Sequence, residues 1–326
     1  MDKMIDVPTV DVSPLFGDNT DAKMCVANQI HLACRGSGFF YISNHGIEVD
    51  KLQEVINDFH QTMTNDEKWN LAINAYNKDN SRNRNGYYMA IPGKKAVESY
   101  CYLNPTFTHN HPMIKAKIPT HEVNIWPDPS KHPKFQPFCE EHYWNMFHLS
   151  SYLLKGFALA LGKAEDFFDP YFRADETLSS ASMIRYPYLK DYPPVKTAPD
   201  GAKLSFEDHL DVSLITILFQ TPIPNLQVEM TGKFKDIPTS AYNLLVNCGT
   251  YMPYITNNYF HAPNHRVVFI NGERLSLPFF VNLGYNTTIQ PFTPHNPEGR
   301  SDTPVVSCGQ YLQDGLQALI VKNGQT

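Results

Sequence analysis

Two side chains in the stretch Leu204 to Gln220, LSFEDHLDVSLITILFQ, have the types and spacing of a metal site. His209 and Asp211 stand two apart in a run that otherwise reads as strand, through Phe206, Leu210, Val212, Leu214, Ile215, Ile217 and Leu218. Residues i and i+2 of a strand project from one face, so an imidazole and a carboxylate are expected to share one space. A two-histidine, one-carboxylate site needs one more His and leaves coordination positions open. With 13 His and 33 acidic residues in the 326-residue chain, chance alone gives about one His-x-acid pair. The third ligand therefore carries the argument.

In the downstream half, histidine recurs at His261, His265 and His295. His261 and His265 are four apart, but Pro263 between them rules against a helical zinc pair. His265 opens the strand-like run Arg266 to Ile270 and is the expected third ligand; His261 reads as a surface or turn residue. Arg274 and Ser276 then alternate onto one face, and a guanidinium fork with a hydroxyl is a natural receptor for a carboxylate. An exposed polar strand would look the same at these two positions. The nearly unbroken apolar run Leu277 to Leu283 argues instead that this strand enters the core, where a bare Arg is costly.

These residues need a scaffold of strands. Short strand-like segments split by Pro, Gly and Asn fill Thr177 to Pro291, which suggests a barrel or double-sheet roll. Upstream, strands are expected at Val7 to Val12, Gly38 to Ile47 and Gly86 to Leu103, the last with a Pro92-Gly93 turn inside it. Helices are expected at Asp21 to Arg35, at Asp50 to Phe59, after a capping box at Thr64 and Glu67, and at Lys134 to Leu161. A last helix is expected from Ser307 to Val321. The fold class is mainly β with flanking helices, a jelly-roll, or double-stranded β-helix, core. One domain, 1–326, is the better reading: a helix-rich part of about 1–175 on a core of about 176–291, then the C-terminal helix 307–321.

The totals narrow the partners. A net charge of −6 with no block of five like charges argues against nucleic acid and anionic membrane as partners. Eighteen Tyr, 20 Phe and 25 Pro favour strands and turns around an aromatic core over a helix bundle. Cys25, Cys34, Cys101, Cys139, Cys248 and Cys308 include no CxxC pair, and the expectation is buried free thiols in the cytoplasm. The acidic start is not that of a signal peptide, and no apolar run reaches the ~18 residues of a membrane span.

HLD, NHRV and RLS, with NHGI near the start, resemble the non-haem iron(II), 2-oxoglutarate-dependent oxygenase superfamily. Longer stretches resemble one family within it, the isopenicillin N synthases: NGYYMAIPGKKAVESYCYLNP, THEVNIWPD, IRYPYL, KLSFEDHLDVSLIT, NLQVE, ERLSLPFFVNLGY and KNGQT. The matches run from about Val10 to Thr326 and are far more specific than the triad. The resemblance implies cyclisation of the tripeptide δ-(L-α-aminoadipoyl)-L-cysteinyl-D-valine to isopenicillin N, with O2 as cosubstrate reduced to two waters and no 2-oxoglutarate. It implies Fe(II) held by His209, Asp211 and His265, with Gln325 as a further ligand in the substrate-free state only. It implies the valine carboxylate on Arg274, Ser276 and Tyr186, and the aminoadipoyl carboxylate on Arg84, with Tyr88 nearby. Ascorbate as a reductant in vitro and a monomeric state are further expectations. Phe206, Leu218, Pro278 and Phe280 are expected apolar walls, and Met230 to Asp236 and Gln290 to Ser301 are expected loops. Arg84, Tyr186 and Gln325 taken alone read as a loop charge, a core tyrosine and an exposed terminal residue. Two rival readings remain at this level: a 2-oxoglutarate-dependent hydroxylase or oxidase, and a non-catalytic jelly-roll that binds a carboxylate.

Overall fold

The computed structural model describes residues 4–90, 97–187, 196–270, 272–296 and 301–322. The expected Pro92-Gly93 turn lies outside them. Strand β1 (Thr9–Asp11) leads to α1 (Thr20–Arg35), whose first turn is capped by the Asn19 side chain accepting from the Ala22 amide at 3.0 Å. β2 (Phe39–Ser43) follows, then α2 (Val49–Thr62) and α3 (Asn65–Leu71). The capping box forms at α3: Thr64 Oγ1 accepts from the Glu67 amide, and Glu67 accepts from the Thr64 amide. Next come β3 (Gly86–Tyr88), β4 (Glu98–Leu103), the one-turn α4 (Pro112–Lys115) and the 26-residue α5 (Phe135–Ala160). The second half contains β5 (Ser180–Tyr186), β6 (Lys196–Thr197), β7 (Lys203–His209), β8 (Ile215–Gln220), β9 (Leu226–Met230), β10 (Lys233–Asp236) and β11 (Leu244–Cys248). It ends with α6 (Tyr251–Ile255), β12 (His265–Val268), β13 (Arg274–Val281) and α7 (Cys308–Lys322).

The strands form two sheets, an eight-stranded one in the order β1-β2-β11-β8-β13-β5-β4-β3 and a five-stranded one in the order β10-β9-β12-β7-β6. Alternation along the larger sheet sorts its side chains. Leu275, Leu277, Phe279 and Val281 of β13 join Ile215, Ile217 and Phe219 of β8 in a core shared with Leu153, Phe157 and other buried residues of α5. Tyr41, Tyr186 and Leu245 of the opposite face pack with Leu226, Val228 and Val267 of the smaller sheet. Arg274, Ser276 and Gln220 have the same parity as this inner set and are buried there. The part of the chain before residue 176, expected to wrap helices on the core, supplies four strands of the larger sheet.

Three local expectations are corrected. Leu204 to Gln220 is not one strand: β7 ends at His209 and β8 starts at Ile215 in the other sheet, with the chain crossing between. Residues 230–236 form the β9–β10 hairpin, whose two-residue turn at Thr231 (φ 49°) and Gly232 (φ 76°) suits the twist of paired strands. A short helix, α6, stands where strand breaks were expected at Gly249 and Pro253. Pro253 is tolerated because first-turn amides have no intrahelical acceptor to lose.

On the helix-facing side of the larger sheet, Glu98 is a buried acceptor for three donors. It takes Tyr87 Oη at 2.6 Å, Lys68 Nζ at 3.0 Å and Arg185 Nη1 at 3.2 Å, while Arg185 also reaches Glu273. This network joins α3 to β3, β4 and β5.

Candidate active site

The segment between β7 and β8 is what brings the triad together. Leu210 turns outward, 38 % exposed, and Asp211 turns inward, 7 % exposed. The crossing is held by backbone bonds: Thr250 N donates to Asp211 O at 2.8 Å, Tyr251 N to Ser213 O at 3.0 Å and Gly249 N to Leu214 O at 3.0 Å. Gly249 is required there, since a Cβ would collide with the Ser213 carbonyl oxygen. His265 opens β12 directly opposite His209 at the end of β7. His209 Nε2 and His265 Nε2 each lie 3.7 Å from Asp211 Oδ1.

Each imidazole is oriented by its other nitrogen. His209 Nδ1 sits 2.9 Å from the Glu207 carbonyl and His265 Nδ1 3.0 Å from that of Pro263. A carbonyl only accepts, so both Nδ1 atoms carry the proton and both Nε2 lone pairs face Asp211. Asn247 donates from Nδ2 to Asp211 Oδ2 at 2.9 Å, leaving Oδ1 for the histidines. Burial works to raise the Asp211 carboxyl, but the positive charge that His265 and His209 carry when protonated, together with the Asn247 amide, outweighs it and holds the carboxyl below its usual range. Ligand atoms of these three residues all lie within 4.8 Å of one another, and they are the one such group among the described residues. Two neutral imidazoles and a carboxylate, with the remaining positions open, fit a ferrous ion. Aromatic edges flank the group: Phe206 is 4.8 Å from His209 and Phe39 is 5.7 Å from His265, between ring centroids. Phe206 and Leu218 belong to the layer between the sheets, and Pro278 and Phe280 share its parity on β13.

A second polar cluster lies further along the same inner face, where β8, β13 and β5 run side by side. Gln220 pairs with Ser276, and Arg274 with Tyr186. Arg274 is 2 % exposed, and its guanidinium lies 4.8 Å over the Tyr186 ring. Its Nη1 donates to Ser276 Oγ at 3.4 Å and its Nη2 to Gln220 Oε1 at 2.6 Å. Burial lowers the guanidinium from its ordinary value, yet an Arg keeps its charge at such a site. Among the described residues no carboxylate forms an ion pair with it. The expected trio Arg274, Ser276 and Tyr186 is thus brought together, and Gln220 is a fourth member that the sequence reading missed.

Arg84 is half-buried rather than a free loop charge. The Glu122 carboxylate accepts from the amides of Asn83, Arg84 and Asn85 at 2.8, 3.1 and 2.8 Å, which fixes the backbone. The guanidinium donates to Thr120 O at 3.2 Å and Ser180 Oγ at 3.4 Å, and Tyr88 Oη donates to Arg84 O at 3.0 Å. Ser180 and Tyr186 are the two ends of β5, so the two cationic groups stand at opposite ends of one strand about 20 Å long. Gln325 lies outside the described residues. His261 is exposed, as expected. Asn247, like Gln220, was missed: an amide in a strand carries no local signal of the carboxylate it will meet.

Comparison with known proteins places the fold and the family. The 2OG-Fe(II) oxygenase superfamily model matches residues 178–283, and that of the non-haem dioxygenase in morphine synthesis N-terminal region matches 7–129. Among solved structures, a full-length Neurospora crassa protein in complex with alpha-KG superposes with a TM-score of 0.79 at 19 % identity, covering 96 % of each chain. The rice dioxygenase for auxin oxidation gives 0.68 at 18 % identity, covering 98 % of this chain and 96 % of that one. The two sheets and flanking helices are therefore a double-stranded β-helix of that superfamily. No helix among the described residues is long and apolar enough to cross a membrane. The isopenicillin N synthase of Streptomyces jumonjinensis is 62 % identical over 98 % of both chains, that of Penicillium rubens 58 % over 98 % of both, and that of a Flavobacterium 55 % over the full length of both. With identity of this order sustained end to end across bacterial and fungal relatives, the chain belongs to the isopenicillin N synthase family of non-haem iron oxidases.

Proposed function

We propose that this protein closes both rings of isopenicillin N from δ-(L-α-aminoadipoyl)-L-cysteinyl-D-valine, using O2 and no 2-oxoglutarate. In this reading His209, Asp211 and His265 hold Fe(II), which when bound supplies the redox chemistry with O2. The overall balance is complete without a cosubstrate: the peptide gives up four hydrogens, and O2 takes them to leave as two waters.

The chain's own residues bind and aim the peptide. Arg274, Ser276 and Tyr186 take the valine carboxylate, a planar anion that suits a guanidinium fork. Arg84 takes the aminoadipoyl carboxylate, with Tyr88 bracing its backbone. Fixing both ends removes most of the freedom of a flexible tripeptide before any bond forms. Phe206, Leu218, Pro278 and Phe280 keep water from the reacting carbons. Gln325 would be a further iron ligand in the substrate-free state only. The enzyme works as a cytoplasmic monomer, with ascorbate able to keep the iron reduced in vitro.

The observation that carries this reading is the pair of cationic receptors at opposite ends of β5, on the same inner face as the triad. A five-carbon dicarboxylate cosubstrate does not reach both. The test is oxygen uptake by the ferrous protein with the tripeptide and without 2-oxoglutarate, followed by product mass. A product four hydrogens lighter than the peptide is expected. Oxygen insertion, or uptake that depends on 2-oxoglutarate and yields succinate, would overturn the proposal.

A further inference from the structure

Gln220 is the partner that fixes Arg274, and its chemistry has a consequence for what the site selects. A guanidinium has only donors, so the Gln220 amide presents its oxygen to Arg274 Nη2, at 2.6 Å. That choice turns Gln220 Nε2 toward the Tyr41 hydroxyl, which gives its own proton to Pro238 O, and Nε2 makes no well-formed hydrogen bond there; Arg274 Nε is likewise buried without a well-formed one. Two poorly satisfied buried donors beside a cation that no carboxylate of the described residues pairs with are an expensive arrangement. Such groups mark a place where acceptor atoms belong. The isosteric residue that would satisfy Arg274 locally is Glu, whose carboxylate would stand at the same point and neutralise it. Gln supplies the same geometry without the charge.

We propose that Gln220 is a positioning residue: it sets the plane of the Arg274 fork and, by being neutral, leaves the guanidinium's charge for the carboxylate of the incoming peptide. This deepens the reading of Arg274 given above and rests on it. Selection of an acid terminus over a neutral one is then determined in part by a residue whose own contact is to Arg274. Ser276 contributes a hydroxyl at 3.4 Å and Tyr186 a π face and its own hydroxyl, whereas the 2.6 Å bond to the Gln220 amide oxygen is the shortest that Arg274 makes here.

The test compares binding of the tripeptide and of its C-terminal valinamide. Calorimetry without oxygen is run on ferrous and on metal-free protein, so that no turnover enters the measurement. The wild type is expected to prefer the acid by on the order of 30-fold, the scale of a charge-assisted hydrogen bond. In Gln220→Glu the preference should fall to within about threefold, through lost affinity for the acid alone, because the new carboxylate already holds Arg274. In Gln220→Met the charge stays available but the brace is gone, so the acid should bind about tenfold more weakly while the amide is unchanged. A Gln220→Glu protein that keeps the wild-type preference overturns the inference. If that variant does not fold, Gln220→Met decides alone, and wild-type affinity for the acid in it overturns the inference equally. A wild type that does not distinguish acid from amide refutes instead the assignment of the valine carboxylate to Arg274.

Discussion

At the scale of single residues, the metal group depends on one amide. Asn247 holds Asp211 Oδ2 at 2.9 Å and so decides which carboxylate oxygen faces His209 and His265. Asn247→Ala is expected to weaken Fe(II) binding by roughly 10- to 100-fold, the usual cost of losing a partner behind a ligand, in an anaerobic ferrous titration. The fold should persist, because Asn247 is a single buried side chain at the end of β11. The candidate ligands and Arg274 were legible in the sequence because His, Asp and Arg are costly in apolar strands and stand out when they occur there. Asn247 and Gln220 were not, since their roles exist only across strands. The i, i+2 rule also paired two side chains that the structure does bring together, for an incomplete reason. His209 ends its strand and Asp211 lies past it, so the common direction comes from a crossing segment held by Thr250, Tyr251 and Gly249.

At the scale of elements, β5 and β13 carry separate tasks on their two faces. Tyr186 and Arg274 meet on the inner face, while their chain neighbours Arg185 and Glu273 form an ion pair at 2.6 Å on the outer one. Arg185 also reaches Glu98, a buried carboxylate shared with Lys68 and Tyr87. Arg185→Met should destabilise the protein by roughly 3 kcal/mol in urea unfolding, by removing a partner from a mostly buried charge network. A loss under half of that would mean that Lys68 and Tyr87 satisfy Glu98 unaided. Alternation along β13 was readable in advance from its own residues. The hairpin at 230–236 was less so, although Thr231-Gly232 is a turn-forming pair. α6 was hidden because a five-residue helix has too few positions to show a period and its Pro253 reads as a breaker.

For the molecule as a whole, acid should unfold it earlier than its surface charge suggests. Burial holds His60 down to about 4 and His142 down to about 3. Below the ordinary histidine value near 6.5 the unfolded chain takes up protons that the native one refuses. Stability should therefore be level above about pH 7 and fall as pH drops from about 6.5 toward 4, by up to about 1.4 kcal/mol per pH unit for each group. Glu98 adds to this further down. Its carboxyl is opposed by burial but held below the usual range by His60, Tyr87 and Lys68, so its contribution is lost as pH falls through that lowered value. Denaturant midpoints measured from pH 8 to 4 check the slope, and a flat profile would contradict it. Ferrous iron should raise the unfolding free energy by about 2.7 kcal/mol at a hundredfold excess over its dissociation constant, an increment that a chelator removes. Where that stabilisation resides follows from the crossing between β7 and β8. His209 and His265 belong to the smaller sheet, whereas Asp211 is tied through Asn247 to the larger one. An ion gripped by all three is a rivet through two plates, and withdrawing it should let the seam breathe: amides of β7 and β12 would then exchange with deuterium sooner than those on the helix-backed side of the protein.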